Sequence, residues 1–163
     1  MKFLISSIFL LALVGIVIGI TVLSGGTQDV TATVRAKSVS VSVTPGTVAY
    51  GTVALSGTAD TTSAQTQTAE NDGTVTVDFK IIGVDTTAWK LLDTRGDNQY
   101  FHEFATDGGT AWTDMATSGT GYTTMWPGVA ESATRDFDLR IGMPVTTSSY
   151  ATQDVNITIQ ASE

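Results

Sequence analysis

Apolar and polar side chains alternate along most of the chain after residue 30. In the clearest run, residues 74–82, the apolar positions are Val75, Val77, Phe79 and Ile81. Successive side chains of a β-strand point to opposite faces of the sheet, so this spacing predicts a strand with one buried face. No stretch of about twelve residues after residue 30 shows the spacing of an amphipathic helix.

Similar alternation, interrupted by turn signals, predicts further strands. They cover residues 30–43 in two halves, 30–36 and 38–43, and residues 48–55, 63–69, 100–105, 121–129, 135–141 and 154–160, about eight strands in all with 74–82. Residues 88–92 are a short apolar stretch. Pro45-Gly46 and Asn71-Asp72-Gly73 are typical turn sequences. The segment 63–69 is polar on both faces and is expected to be an edge strand or a half-exposed strand. Without helices to cover a sheet, two sheets must bury each other. The pattern therefore predicts an all-β fold, an immunoglobulin-like β-sandwich of about seven to nine strands.

The stretch 30–43 changes phase in the middle. One set of alternating apolar residues is followed by a second set in the opposite phase, namely Val30, Ala32, Val34 and Ala36, then Val39, Val41 and Val43. A single strand cannot place both sets on one face. Two explanations stay open: a first strand split between the two sheets of its own domain, or a free strand over residues 27–36 that joins a sheet of a neighbouring copy.

The N-terminal region differs from the rest. Residues 3–23 carry no charge, follow Met1-Lys2, and lead into Ser24-Gly25-Gly26. This pattern predicts an export segment over residues 1–26, one N-terminal hydrophobic helix that is either a signal peptide cleaved after Gly26 or a retained membrane anchor. Residues 27–163 are then a β-sandwich domain that is extracellular or at the cell surface. The only predicted membrane contact is through residues 3–23, if they are not cleaved.

Charge and cysteine content narrow the function classes. The chain has 8 Lys plus Arg against 16 Asp plus Glu, a net charge of −8. Such a surface repels phosphates, so no nucleic-acid partner is expected. The chain has no cysteine, which excludes disulfides, thiol nucleophiles and cysteine-based metal sites. Stability must come from the apolar core and from hydrogen-bonded strands.

A family resemblance appears over residues 39–82. The order Pro45, Tyr50-Gly51-Thr52-Val53, Asn71-Asp72-Gly73 and Val75-x-Val77-x-Phe79 resembles immunoglobulin-like domains of the ASH and major-sperm-protein type. This family has Phe at the Tyr50 position and an apolar strand where the chain has Gln-Thr-Gln-Thr-Ala. The resemblance implies a β-sandwich used for attachment or assembly, and it carries over no catalytic residue.

No sequence motif indicates an enzyme. The only histidine, His102, lies in an aromatic strand, and the adjacent Glu103 must point to the opposite face. A general base needs a partner that orients it, so His102 is expected to be structural. The sequence has no metal-ligand spacing, no phosphate-binding loop and no nucleophile elbow. We therefore expect no catalytic residue and no cofactor.

Three surface motifs could bind or be modified. Asp93, Asp97 and Asn98 share a loop, and such oxygens hold calcium in some extracellular sandwiches, although their spacing does not match an EF-hand. Arg95-Gly96-Asp97 is an integrin-type triplet that is short enough to occur by chance. Asn156-Ile157-Thr158 is a glycosylation sequon with Asn156 on the predicted outer face.

Two function classes follow. The first is a secreted or surface-anchored structural protein that self-associates into a filament or surface layer through residues 27–36. The second is a ligand-binding module for glycans or adhesion, with an aromatic face formed by Trp112, Tyr122 and Trp126. Assembly predicts an open sheet edge in the isolated domain, whereas glycan binding predicts solvent-facing aromatic rings.

Overall fold

The protein is described by a computed structural model, which covers residues 26–61, 64–115, 117 and 119–163. The fold is all-β, and no helix occurs in those ranges. Ten strands follow in chain order. They are β1 (Ser42–Thr44), β2 (Thr58–Asp60), β3 (Gln67–Glu70), β4 (Val77–Gly83), β5 (Lys90–Leu91), β6 (Gln99–Ala105), β7 (Thr113–Asp114), β8 (Thr123–Val129), β9 (Thr134–Gly142) and β10 (Ile157–Ser162).

The strands form two sheets. The larger has seven strands in the order β1-β3-β9-β6-β5, with β2 also paired to β9 and β7 to β6. The smaller has three strands in the order β10-β4-β8. All pairs are antiparallel except β5 with β6.

One apolar cluster joins the two sheets. Phe79 and Ile81 from β4 pack with Phe137 and Leu139 from β9, and all four side chains are at most 1% exposed. Large apolar side chains of this kind stabilise a fold by roughly 1.5–3 kcal/mol each when they are buried. The alternation predicted for residues 74–82 is confirmed at Val77, Phe79 and Ile81, which are buried, whereas Val75 is half-buried. The strands predicted at 100–105 and 135–141 are present as β6 and β9, although Asp138 on the other face of β9 is buried as well.

Within this single chain, the predicted strands at 30–36 and 38–43 are absent apart from Ser42 and Val43 in β1, and a strand that residues 27–36 form on a neighbouring copy stays a prediction. Residues 26–41 belong to no strand, because a strand needs a partner as well as alternation, and these residues pair with no strand in the part of the chain that is described. The compact unit begins at Arg35 and ends at Glu163, and it contains all ten strands.

The predicted strand at 48–55 is also wrong. Residues 45–57 contain no strand, and we call this segment the strap. Its apolar residues alternate because single side chains pack against the core cluster, as Val48 and Tyr50 do. Gly51 has a positive φ of 69°, a conformation that glycine adopts without steric strain and that interrupts an extended strand.

The segment 63–69 was expected to be an edge strand or a half-exposed strand. Its strand, β3, lies between β1 and β9 and so is not at an edge, and Thr68 and Glu70 on its outward face are half-exposed. Gln67 and Ala69 point inward and are at most 2% exposed. Gln67 is tolerated there because the strap backbone satisfies its amide, as described below. A polar residue with such a partner behaves as an interior residue.

The predicted export segment, residues 1–26, lies outside the described residues except for Gly26. Among the described residues, the structure has no helix of the length and apolar character that crossing a membrane requires.

Candidate assembly site

The domain begins with a short junction, residues 35–38, which is tied to its surface. The Thr74 hydroxyl donates to the Ala36 carbonyl at 2.9 Å, and the Ser38 carbonyl accepts the Thr74 N–H at the same distance. Lys37 forms an ion pair with Glu163, and Arg35 forms a two-pronged pair with Glu131. Of the four predicted assembly residues, Ala36 is therefore part of this junction.

Residues 26–34 precede the junction and have no regular secondary structure. Val30 is 90% exposed and Val34 97% exposed, and Ala32 is also exposed. Because these two valines are not buried, the hydrophobic effect contributes no stabilisation through them. This segment, residues 27–34, is called the free segment.

The strap is held by side chains and not by a strand ladder. The Gln65 amide makes both bonds to Ala49, accepting its N–H at 2.6 Å and donating to its carbonyl at 3.0 Å. The Gln67 amide binds two residues that precede Ala49. It accepts the Gly46 N–H at 2.9 Å and donates to the Thr47 carbonyl at 3.3 Å. These two amides thus pair with four main-chain groups of the strap, on Gly46, Thr47 and Ala49, without a strand ladder.

Tyr50 anchors the strap to the interior. Its hydroxyl lies 2.7 Å from Nε2 of His102 on β6. His102 is 3% exposed, and burial lowers its pKa to about 4, so the ring is neutral at pH 7. Burial also raises the pKa of Tyr50. The imidazole is thus neutral and hydrogen-bonded to a protonated phenol, and its Nδ1 is buried with no hydrogen-bond partner among the described residues.

A long groove lies beside the strap, with a volume of about 1220 Å³. One side is formed by Val41 and Val43 at the β1 edge of the larger sheet, and another by Ile157 and Ile159 on β10, the edge of the smaller sheet. The inward side chains of β9 and the strap complete it. Small-molecule pockets occupy roughly 300–1,000 Å³, so this groove has the size for a peptide segment.

The predicted calcium loop makes protein contacts. Asp97 accepts the Thr146 hydroxyl at 2.7 Å, and the Asn98 side-chain oxygen accepts the Ser148 N–H at 2.7 Å. Asp93 is exposed. These contacts fasten the loop to residues 146–148. Within the described ranges, no group of three or more His, Cys, Asp or Glu side chains is arranged to hold a metal ion.

Arg95 of the Arg-Gly-Asp triplet also packs against the protein. Its guanidinium donates to the Ser56 carbonyl and lies 4.9 Å from the centre of the Phe101 ring. Asn156 of the sequon is exposed and immediately precedes β10.

The three candidate aromatic residues do not form one face. Trp112 lies under the Arg140 guanidinium at 4.5 Å, whereas Trp126 packs edge-on against Phe137. Arg140 and Phe137 alternate on β9 and point to opposite faces of the larger sheet. Tyr122 is 39% exposed. The structure therefore separates Trp112 from Trp126 by the thickness of a sheet.

Sequence reasoning missed the two glutamines and Tyr50. The sequence Gln65-Thr66-Gln67 contained a signal for them, because two residues apart on a strand the two amides lie on the same face. Sequence reasoning missed Asn71 as well, which is fully buried and donates to the carbonyls of Val75 and Val129 at 2.8 and 3.0 Å. No family model, curated protein or solved structure matches this chain.

Proposed function

We propose that the protein is a secreted or surface-anchored structural subunit that builds a filament or surface layer by β-strand addition. The free segment of one copy forms a strand in a sheet of the next copy. In this proposal the domain is an immunoglobulin-like β-sandwich, as the ASH and major-sperm-protein resemblance implies. Residues 1–26 direct its export and are either cleaved or kept as an anchor.

The observation that carries the proposal is the state of the free segment. It keeps the alternation of a strand with one apolar face, yet Val30 and Val34 are 90% and 97% exposed. β-Strand addition would bury these side chains and pair the main chain, since main-chain hydrogen bonds supply affinity and alternate side chains enter pockets. Because donor and acceptor surfaces differ, the contact is head-to-tail and produces an open fibre unless the rotation closes a ring.

The charge pattern of the segment supports the same use. Asp29 and Arg35 bracket residues 30–34, which carry no charge. A strand of this composition can enter an apolar site without burying an unpaired charge, which would be strongly unfavourable. No comparable observation favours the glycan-binding alternative, because Trp112 and Trp126 lie on opposite faces of the larger sheet.

The test uses the chain from residue 27 onward, which retains all ten strands and the whole compact unit. Variant V30D/V34D places two charges on the apolar face of the free segment, and T31D/T33D places the same charges on the opposite face. Light scattering and negative-stain microscopy measure assembly, and thermal unfolding confirms the fold.

We expect the parent chain and T31D/T33D to form filaments and V30D/V34D to remain monomeric with an unchanged melting temperature. A parent chain that stays monomeric at every concentration would overturn the proposal. Equal assembly by V30D/V34D would overturn it as well.

A further inference from the structure

We infer that the acceptor for the free segment is the outer edge of β10 together with the groove beside it, and that the occupant is the free segment of a second copy. This inference rests on the proposed function and specifies its partner surface. It follows from a comparison of the sheet edges and from the fit of the segment to the groove.

Most sheet edges in the described part of the chain are too short to accept a strand. β1 and β2 have three residues each, and β5 and β7 have two. Short edge strands are one of the ways in which proteins prevent unwanted pairing. The remaining edges belong to β8 and β10, which lie on opposite sides of β4.

The β8 edge is blocked. It contains Pro127, which has no N–H to donate, and its pairing with β4 shifts register twice. Gly128 has a positive φ of 65°, and its N–H is taken by the Asp78 carboxylate at 2.9 Å. Proline and bulges are known devices that protect an edge.

The β10 edge has none of these devices. Its six residues, Ile157–Ser162, include no proline, glycine or charged residue, and its pairing with β4 is regular throughout. Among the described residues it pairs only with β4, so its other side presents a continuous row of main-chain groups. Long, regular, uncharged edges are templates for an added strand.

The groove matches the apolar face of the free segment. On β10, Ile157 and Ile159 line the groove, and both are only half-buried. The free segment offers side chains at the same two-residue spacing, Val30, Ala32 and Val34. A six-residue strand is roughly 20 Å long and an eight-residue segment roughly 26 Å, so the free segment spans the edge completely. Its small side chains suit a groove that the strap already narrows.

The β10 edge is open within one copy. Among the described residues, β10 pairs only with β4, and Val30 and Val34 of the free segment are 90% and 97% exposed. The junction is tied beside both edges of the smaller sheet, since Arg35 pairs with Glu131 in the turn after β8 and Lys37 pairs with Glu163 directly after β10. The open edge and the exposed segment together point to a second copy as the partner.

Cross-linking between two variants tests this inference, because the protein has no cysteine of its own. Whole chains carrying Thr33→Cys are mixed with chains carrying Thr158→Cys on β10. The control mixture replaces the second chain with Thr124→Cys on β8, and both acceptor positions are exposed. The mixtures are oxidised during assembly in mild detergent, and filaments are counted in the same samples.

We expect the Thr33–Thr158 cross-link to exceed the Thr33–Thr124 cross-link several-fold in samples that contain filaments. Filaments with a predominant Thr33–Thr124 cross-link, or with neither cross-link, would overturn the β10 assignment and leave strand addition in place. Samples with neither filaments nor cross-links would overturn the proposed function and this inference together.

Discussion

The two edges of the smaller sheet are built differently from one another. β8 has a proline, a left-handed glycine and two register shifts, and its Trp126 packs against Phe137 in the core. β10 is regular and uncharged, and Ile157 and Ile159 on its inner face are only half-buried beside an open groove. Both edges belong to the same sheet and pair with the same strand, β4.

This difference is what the proposed assembly uses. A protein that exists only as a monomer is expected to protect both long edges, because either one can pair with another chain. Here one edge is protected and the other is left regular next to an apolar groove. In the proposed assembly, the free segment of a second copy is the alternating strand that covers the regular edge.

The largest effect on stability is expected at Phe137, which lies next to both the β8 and the β10 edges of the smaller sheet. Phe137 is 1% exposed, contacts Trp126 of β8 and also lines the groove next to β10. Phe137→Ala is expected to lower the free energy of unfolding by about 3–5 kcal/mol, through lost burial and the cavity left behind. Urea unfolding measures it.

Leu139→Met is the matched control for this prediction, because it conserves volume on the same face of β9 and is expected to lose less than about 1.5 kcal/mol. A Phe137→Ala loss no larger than that of Leu139→Met would show that Phe137 does not connect the two sides.

The domain is expected to lose stability in acid because of His102, which lines the groove. The pKa of His102 is about 4 in the folded protein against 6.5 when it is solvated. Above pH 6.5 its contribution is fully present. As the pH falls from 6.5 towards 4, the unfolded chain binds a proton that the folded protein excludes, so stability falls by about 3 kcal/mol.

His102→Gln isolates this effect, since glutamine keeps a hydrogen-bonding group for Tyr50 but does not titrate. Urea unfolding of both proteins at pH 7, 5 and 4 should show a steeper loss in the parent. Parallel losses in the two proteins would assign the pH dependence to other groups.

The β8 edge is expected to respond to a change in backbone preference. Gly128 has a φ of 65°, and no atom would contact an added Cβ within 4 Å. Gly128→Ala should therefore lower stability by about 1–2 kcal/mol through backbone strain alone. Gly128→Asn should lose less, because asparagine tolerates this conformation better. Thermal unfolding distinguishes the two, and an equal loss would contradict the strain explanation.

The smallest effect is expected at the junction. The Arg35–Glu131 ion pair is exposed on both sides, with side-chain exposures of 63% and 39%, and water and salt screen such pairs strongly. Arg35→Ala should leave the melting temperature unchanged at physiological salt. A loss as large as that of Gly128→Ala would mean that the junction is an integral part of the domain.

The sequence predicted the interior strands well, because their burial on one face imposes strict alternation. β4, β6 and β9 follow directly from apolar residues such as Phe79, Phe104 and Phe137 at every second position. The same rule was wrong for the strap, where Val48 and Tyr50 alternate but no strand pairs with the backbone, and Gln65 and Gln67 bind its main chain at Gly46, Thr47 and Ala49 instead. Alternation reports which side chains are buried and does not report what pairs with the backbone.

The candidate site was only partly predictable for the same reason. The phase change after Ala36 marked the junction, and the alternation of Val30 and Val34 marked the free segment. The groove could not be predicted, because it depends on β1 and β10 lying at the edges of two sheets far apart in sequence. Edge positions are a property of topology, and local patterns do not encode them.

Hydrogen exchange on filaments and monomers tests the central claim most directly, since it reads the two edges separately. The claim predicts that amides in residues 27–34 and along the outer side of β10 become strongly protected in filaments, while those of β8 exchange as in the monomer. Protection that appears at β8, with β10 unchanged, would contradict the account.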